Sequence, residues 1–243
     1  KFREAILEEK IFNLRCKPYM EDIEKNQIIF SNIPKSKNLF ISSKSNIINI
    51  VSSDDFLQQV KKKHRYYIKQ SEKLKIDWRV CSGPDTARIF NIVYDEMKNT
   101  KSLKLPIINI DNFSKILGLT KDGDPRLFAF AGFENDRPVS VCIVSLLDNK
   151  AFYHYAASTE RGRDISASYG MIFNLVEKLR DLSINELDFG GISNDGSSSG
   201  VDFFKQGFNG QGFLKIGEFD ISKFKLCSYF FNKLIQFKKT FKG

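Results

Sequence analysis

The sequence predicts a mixed α/β fold of the α+β kind, with a central, mostly antiparallel sheet flanked by helices. Three observations carry this. The stretch Arg126–Ala157 alternates as three successive strands joined by short turns. Amphipathic helical stretches precede and follow it, with apolar residues on one face and charges on the other. The apolar share of 42% and charged share of 28% are those of a chain that forms a packed core. At 243 residues, one large domain or two small lobes around a cleft can be built.

The elements follow in order. A charged, helical opening runs from Lys1 to about Leu14. Short β-like runs come next at Gln27–Phe30, Leu39–Ile41 and Ile47–Val51, and together they suggest a reduced N-terminal lobe. Residue 1 is Lys rather than Met, so a trimmed or missing N-terminal piece is expected. From Ser53, a possible N-cap, one basic helix is expected to reach about Lys73, with Phe56, Val60, Tyr67 and Ile68 on one face. A strand at Lys75–Cys81 alternates Ile76, Trp78 and Val80. Ser82-Gly83-Pro84-Asp85 then starts a helix through about Asn99, and Ile110–Leu119 reads as a further short helix. The meander comprises Arg126–Phe133, Val139–Leu147 and Ala151–Ala157. A loop at Ser158–Ser168 leads to a helix bearing Ile172, Leu175, Val176 and Leu179 on one side. A strand at Glu186–Phe189 ends at Gly190-Gly191, a polar loop runs to Gly200, and Val201–Phe208 forms a helical turn. A last strand at Gly210–Phe219 and a basic amphipathic helix from about Ser222 complete the chain. The expected division is 1–74 for the reduced lobe and basic linker helix, 75–220 for the principal domain, and 221–243 for the C-terminal helix.

Composition excludes several classes. No window approaches the roughly 18 uninterrupted apolar residues of a membrane-spanning helix, and Lys1 opens a charged run rather than a signal peptide. A soluble, cytoplasmic protein is expected. The four cysteines are scattered and form no CxxC pair, so they read as reduced thiols rather than a zinc site or disulfide frame. The two histidines, His64 and His154, lie in neither a His-x-x-x-His nor a Gly-x-Ser-x-Gly context, which removes zinc and serine hydrolases and leaves no metal implied. The net charge of +9 favours anionic partners, although solubility alone would also account for it.

Candidate chemistry collects in the second half. Two successive glycines after an apolar strand, Gly190 and Gly191, let the backbone turn and leave N–H groups for a ligand carbonyl or phosphate. Lys205 stands between Phe204 and Phe208, an apolar setting for one cation that stabilises an oxyanion as an amine attacks an ester or thioester. His154, between Tyr153 and Tyr155, is expected on the strand face away from both tyrosines, as a base for the acceptor amine or as a satisfied structural histidine. Asp188 either handles the amine proton or satisfies the N–H groups after its strand. The loop with Arg161, Arg163, Ser166 and Ser168 suits a nucleotide phosphate or a tRNA acceptor end, or is a solvated turn. Lys62 and Arg65, in a basic run beside Tyr66 and Tyr67, suit backbone phosphates with aromatic stacking. The stretch 221–243 has six lysines and no acidic residue, and it either lies on an anionic membrane surface or packs on the domain.

The element order resembles a GNAT-like domain, and local strings sharpen this. Arg65-Tyr66-Tyr67-Ile68-Lys69-Gln70-Ser71-Glu72-Lys73 is similar to the basic helix leading into the second lobe of the Fem-type peptidoglycan aminoacyltransferases. Phe152-Tyr153-His154-Tyr155-Ala156-Ala157-Ser158 resembles their aromatic strand. Leu187-Asp188-Phe189-Gly190-Gly191-Ile192, followed by Phe203-Phe204-Lys205-Gln206-Gly207-Phe208, resembles the family's Asp-Phe-Gly-Gly and Phe-Lys-x-Gly-Phe pair. The resemblance implies an N-acyltransferase that moves an aminoacyl group from aminoacyl-tRNA to an amine of a cell-envelope precursor, with Lys205 at the oxyanion. It implies no cofactor beyond the acyl donor. Two departures stand out. The region before Ser53 is too short for a full first lobe. An arginine that meets acceptor phosphates in the family is absent from Asn99–Lys104, leaving Lys101 or Lys104 in its place. An acyl-CoA donor remains as an alternative, although Ser166 and Ser168 stand where the small residues of a CoA loop belong. A non-catalytic RNA- or envelope-binding module is a second alternative.

Overall fold

The computed structural model describes residues 13–36, 39, 42–51, 53–101, 108–110, 126–193, 199–222, 229–230 and 232–234. In chain order the elements are β1 (Asn13–Cys16), α1 (Glu24–Ile29), β2 (Lys44–Asn49), α2 (Ser53–Gln59), α3 (Lys62–Glu72), β3 (Asp77–Cys81) and α4 (Pro84–Lys101). Then come β4 (Leu127–Glu134), β5 (Arg137–Leu147), β6 (Lys150–Ser158), α5 (Glu160–Asp164), α6 (Ala167–Asp181), β7 (Glu186–Gly191), α7 (Ser199–Gln206), β8 (Gln211–Leu214) and β9 (Phe219–Ser222). They fall into two units. The larger is Asn46–Gly190 with Ser198–Gln211; the smaller is Lys1–Ser45, Gly191–Ser197 and Gly212–Gly243.

The larger unit is built on strands in the order β3-β4-β5-β6-β7-β2. β3 to β6 pair antiparallel, and β7 joins β6 in parallel. The mixed, mostly antiparallel sheet flanked by helices is as expected. Side chains alternate across it with period two. Phe128, Phe130, Cys142 and Val144 pack with Met171, Ile172, Leu175 and Leu179 of α6 and Ile68 of α3. Their neighbours Leu127, Ala129, Ala131, Val141 and Ile143 pack with Ile89, Phe90, Val93 and Tyr94 of α4. Each side of the sheet thus has its own core, and removing one of the large side chains from either costs about 3 kcal/mol.

The smaller unit pairs β1 with β9 antiparallel, from Asn13 opposite Ser222 to Cys16 opposite Phe219. Phe30 stacks on Phe219 at 4.6 Å. Arg15, whose side chain is nearly fully buried, forks onto both carboxylate oxygens of Asp220 at 2.7 and 2.8 Å and lies 3.6 Å from Glu218. Two buried carboxylates therefore share one guanidinium, and leaving them without it would strand charge in the interior.

Several expectations are corrected. The helix expected over Ser53–Lys73 is two helices, because Lys61 is extended (φ −55, ψ 144) and donates its N–H to the Gly207 carbonyl at 2.9 Å. Gln27–Phe30 is not a strand. Its consecutive apolar residues carry no period, and the N–H groups of Asn26 and Gln27 turn back to the Ile23 carbonyl to start α1. The Ser158–Ser168 loop contains α5, capped by Thr159, whose hydroxyl accepts the Gly162 N–H at 2.9 Å. The strand β7 runs through both Gly190 and Gly191 rather than stopping before them. The strand expected over Gly210–Phe219 is divided into β8 and β9, with Gly217 between them at φ +108, a left-handed conformation that ends a strand. The opening helix lies almost wholly outside the described residues, apart from Asn13 and Leu14, which are in β1. Most of the Ile110–Leu119 helix and much of the C-terminal helix also lie outside them.

Candidate active site

The larger unit holds a cavity of about 690 Å³, lined by β6, the α5–α6 corner and one face of α7. It gathers Tyr153, His154, Tyr155, Arg163, Ser166, Ser168, Phe204 and Lys205. Half of the sixteen site residues singled out from sequence therefore meet in one place.

The strand side of the cavity depends on an irregularity. β5 pairs Ile143 with Tyr155 and Val144 with Tyr153, so His154 is an extra residue opposite none. This bulge breaks the alternation. Tyr153 packs with the α6-side core and against Phe189 at 4.8 Å, while Tyr155 packs with the α4-side core and Phe90 at 6.2 Å. The two tyrosines thus lie on opposite sides of the sheet, and the expected placement of His154 away from both is corrected. His154 Nε2 shares a hydrogen bond of 2.7 Å with Ser145 Oγ. Burial pushes its pKa down to about 4, opposed by the charge of Asp188, so the imidazole is neutral at pH 7. Ser145 was not legible as a partner, because the cross-strand pairing that joins it to His154 depends on the bulge.

Asp188 is buried in β7, and its Oδ1 accepts the Gly190 N–H at 2.8 Å. Gly190 has φ +83, and a side chain there would place Cβ 3.2 Å from Lys205 Nζ and 3.4 Å from the Tyr153 carbonyl oxygen. The Lys205 ammonium therefore lies over the bare Gly190 backbone, whose positive φ favours glycine and where a Cβ would crowd the ammonium by a few tenths of an ångström. α7 is fixed from two sides. Asn46 Nδ2 donates to the Lys205 carbonyl at 2.9 Å, and the neighbouring Phe204 carbonyl accepts the His64 Nε2–H at 3.0 Å. Phe204 packs edge-on against Tyr169 at 5.1 Å and Phe208 at 5.2 Å. His64 was visible in sequence only as part of a basic run, yet it is buried among these rings.

At the opposite end, Ser166 takes φ 56 at the head of α6, Ser168 Oγ lies 2.7 Å from Ser158 Oγ, and Arg163 Nη1 donates to the Ser158 carbonyl at 2.9 Å. A helix N-terminus beside a guanidinium gives this end positive potential. The remaining candidates lie elsewhere. Arg161 forks onto Glu134 at 2.6 and 2.7 Å and lines a different cavity. Arg65 donates to the Gln58 and Val60 carbonyls at the end of α2, at 3.3 and 3.1 Å. Lys62 is exposed on α3. Gly191 falls in the smaller unit, beside Ser42. The Lys101 side chain and the whole of Lys104 lie outside the described residues. Among the described residues, no three His, Cys, Asp or Glu gather as a metal site would, and no helix is long and apolar enough to cross a membrane.

A mixed sheet with a helix opening at a strand-lined cleft and a lysine facing it is the GNAT-like arrangement that the element order led us to expect. Residues 130–240 match the model of the FemAB family. That match spans 111 of the 243 residues, a little under half of the chain, and the chain is similar to the family over that stretch. Among solved structures, the crystal structure of FemX superposes with a TM-score of 0.72 at 16% identity, covering 91% of this chain and 74% of that one. The structure of L-PGS from Bacillus licheniformis superposes with a TM-score of 0.54 at 14% identity, covering 89% and 71%. No curated protein sequence matches the chain.

Proposed function

We propose that the chain transfers an aminoacyl group from aminoacyl-tRNA to an amine of a cell-envelope precursor, a peptidoglycan peptide or an amino sugar, at the cytoplasmic side of the membrane. The observation that carries this reading is the Lys205 ammonium held over Gly190 in the cavity. The ester carbonyl of the donor sits against Lys205. The acceptor nitrogen attacks the carbonyl carbon, and the oxyanion that develops is met by a cation already in place. Expulsion of the ribose oxygen, which leaves as a hydroxyl carrying the proton shed by the nitrogen, completes the amide. Attack makes the nitrogen cationic and strongly acidic, so even a weak base can take its proton. The neutral His154, whose protonated form the charge of Asp188 favours, suits that step. Arg163 and the first turn of α6 hold donor or acceptor phosphate at the other end. Most of the rate then comes from positioning and oxyanion stabilisation.

An acyl-CoA donor is the second reading, favoured by the same helix N-terminus. The test offers charged tRNAs and acyl-CoAs in parallel with envelope precursors and reads the products by mass spectrometry. Aminoacyl products from charged tRNA alone are expected. Products from acyl-CoA alone would replace the donor, and products from neither would leave the chain a binding module.

A further inference from the structure

α3 presents Lys62, Lys63 and Tyr66 on its exposed side, and from Lys61 to Ser71 the chain carries no acidic residue. Tyr66 is 58% exposed. α7 brings Phe203 to the same place: its ring is 48% exposed, lies 5.2 Å under the Lys63 ammonium, and is backed by the buried His64 ring at 5.1 Å. Gly200, Val201 and Phe204, beside Phe203 on that helix, line the cavity. The Phe203 ring is backed by His64 and covered on its outer side only by the flexible Lys63 side chain, which can move onto a phosphate. It is then a platform for a flat, π-faced ligand that carries negative charge.

We propose that Phe203 and Tyr66, with Lys62 and Lys63, form a docking surface for single-stranded RNA that leads to the cavity along α7. Bases stack on the two rings, and the lysines meet the phosphates. This deepens the reading that the donor is an RNA ester, and it rests on that reading for its biological sense. The charge run supplies sequence-independent affinity with a steep salt dependence. The rings supply the preference for unpaired bases, since a duplex offers no free base face. His64 couples the two helices, because the same residue backs Phe203 and holds the Phe204 carbonyl next to Lys205.

The test uses the full chain with a short single-stranded RNA and a duplex RNA of equal charge, followed by fluorescence anisotropy across salt. Phe203→Leu keeps the packing on His64 and removes the ring. It is expected to weaken single-strand binding about ten-fold and leave duplex binding unchanged. Lys62→Gln with Lys63→Gln should weaken both and flatten the salt slope by about two phosphates. An unchanged melting temperature separates these effects from misfolding, and Phe203→Tyr should bind as the parent does. Unchanged single-strand binding in Phe203→Leu and Tyr66→Ala would overturn the platform, even if Lys205 remains essential for turnover. RNA binding that behaves as expected while charged tRNA yields no product would instead sink the donor assignment and leave the surface standing. Loss of binding to anionic vesicles, with RNA binding intact, would make this a lipid-facing patch and overturn the proposal.

Discussion

His154 shows how one side chain is set by its surroundings. Its folded pKa of about 4 lies below the ordinary 6.5, because burial disfavours the imidazolium more than Asp188 favours it. Between those values the unfolded chain binds the extra proton and the folded one does not. The stabilisation is therefore complete above about pH 6.5 and is lost as pH falls toward 4. Its size is on the order of 3 kcal/mol. His64, also pushed down chiefly by burial, acts in the same direction. Urea midpoints of the parent and His154→Gln at pH 7 and pH 4.5 should show a smaller acid loss in the variant, and equal losses would mean that the imidazole is not desolvated as described. At this scale the sequence was informative where chemistry is local. Phe-Lys-x-Gly-Phe marked Lys205 because flanking aromatics imply a cation in an apolar setting. Arg161 was misleading, because its partner Glu134 lies 27 positions away and nothing in the local string reveals a fork.

The elements divide by how far their causes extend along the chain. The meander was legible because each strand alternates and each turn is short, and the paired strands β4, β5 and β6 follow. The bulge at His154 was not, since an inserted residue leaves no compositional mark and only the neighbouring strand's register exposes it. The break between α2 and α3 was hidden for the same reason. It is made by Gly207, more than a hundred residues later. The edge strand β3 shows a milder limit. Its alternation of Ile76, Trp78 and Val80 does not tell how deeply each is covered: Trp78 stacks on Phe130 at 6.0 Å while Val80 is 43% exposed. Val80→Thr should accordingly shift stability by no more than about 0.5 kcal/mol. Phe130→Ala should cost about 3 to 5 kcal/mol. Similar costs in thermal or denaturant unfolding would contradict the assignment of faces.

In the whole molecule, the larger unit carries every side chain of the candidate cavity, while the smaller unit is organised around Arg15, Asp220 and Glu218. The sequence reading divided the chain into the consecutive stretches 1–74, 75–220 and 221–243. It gave no sign that the smaller unit would combine residues from both ends, since the β1–β9 pairing spans more than 200 positions. The basic surplus of +9 finds one focus on α3, where the lysines sit beside exposed rings. Net charge alone could not locate that focus, because charge is a sum and the surface is a placement.

The central claim is that Lys205 meets the developing oxyanion. Lys205→Met, assayed in single turnover with whichever donor the parent accepts, should lower the rate about 10²-fold or more. Donor affinity and melting temperature should stay near those of the parent, because the interaction is made only in the transition state. Lys205→Arg should rescue poorly, since a planar fork cannot occupy the position of an ammonium over Gly190. A Met variant that turns over at the parental rate would contradict the account and return Lys205 to an ordinary residue of α7.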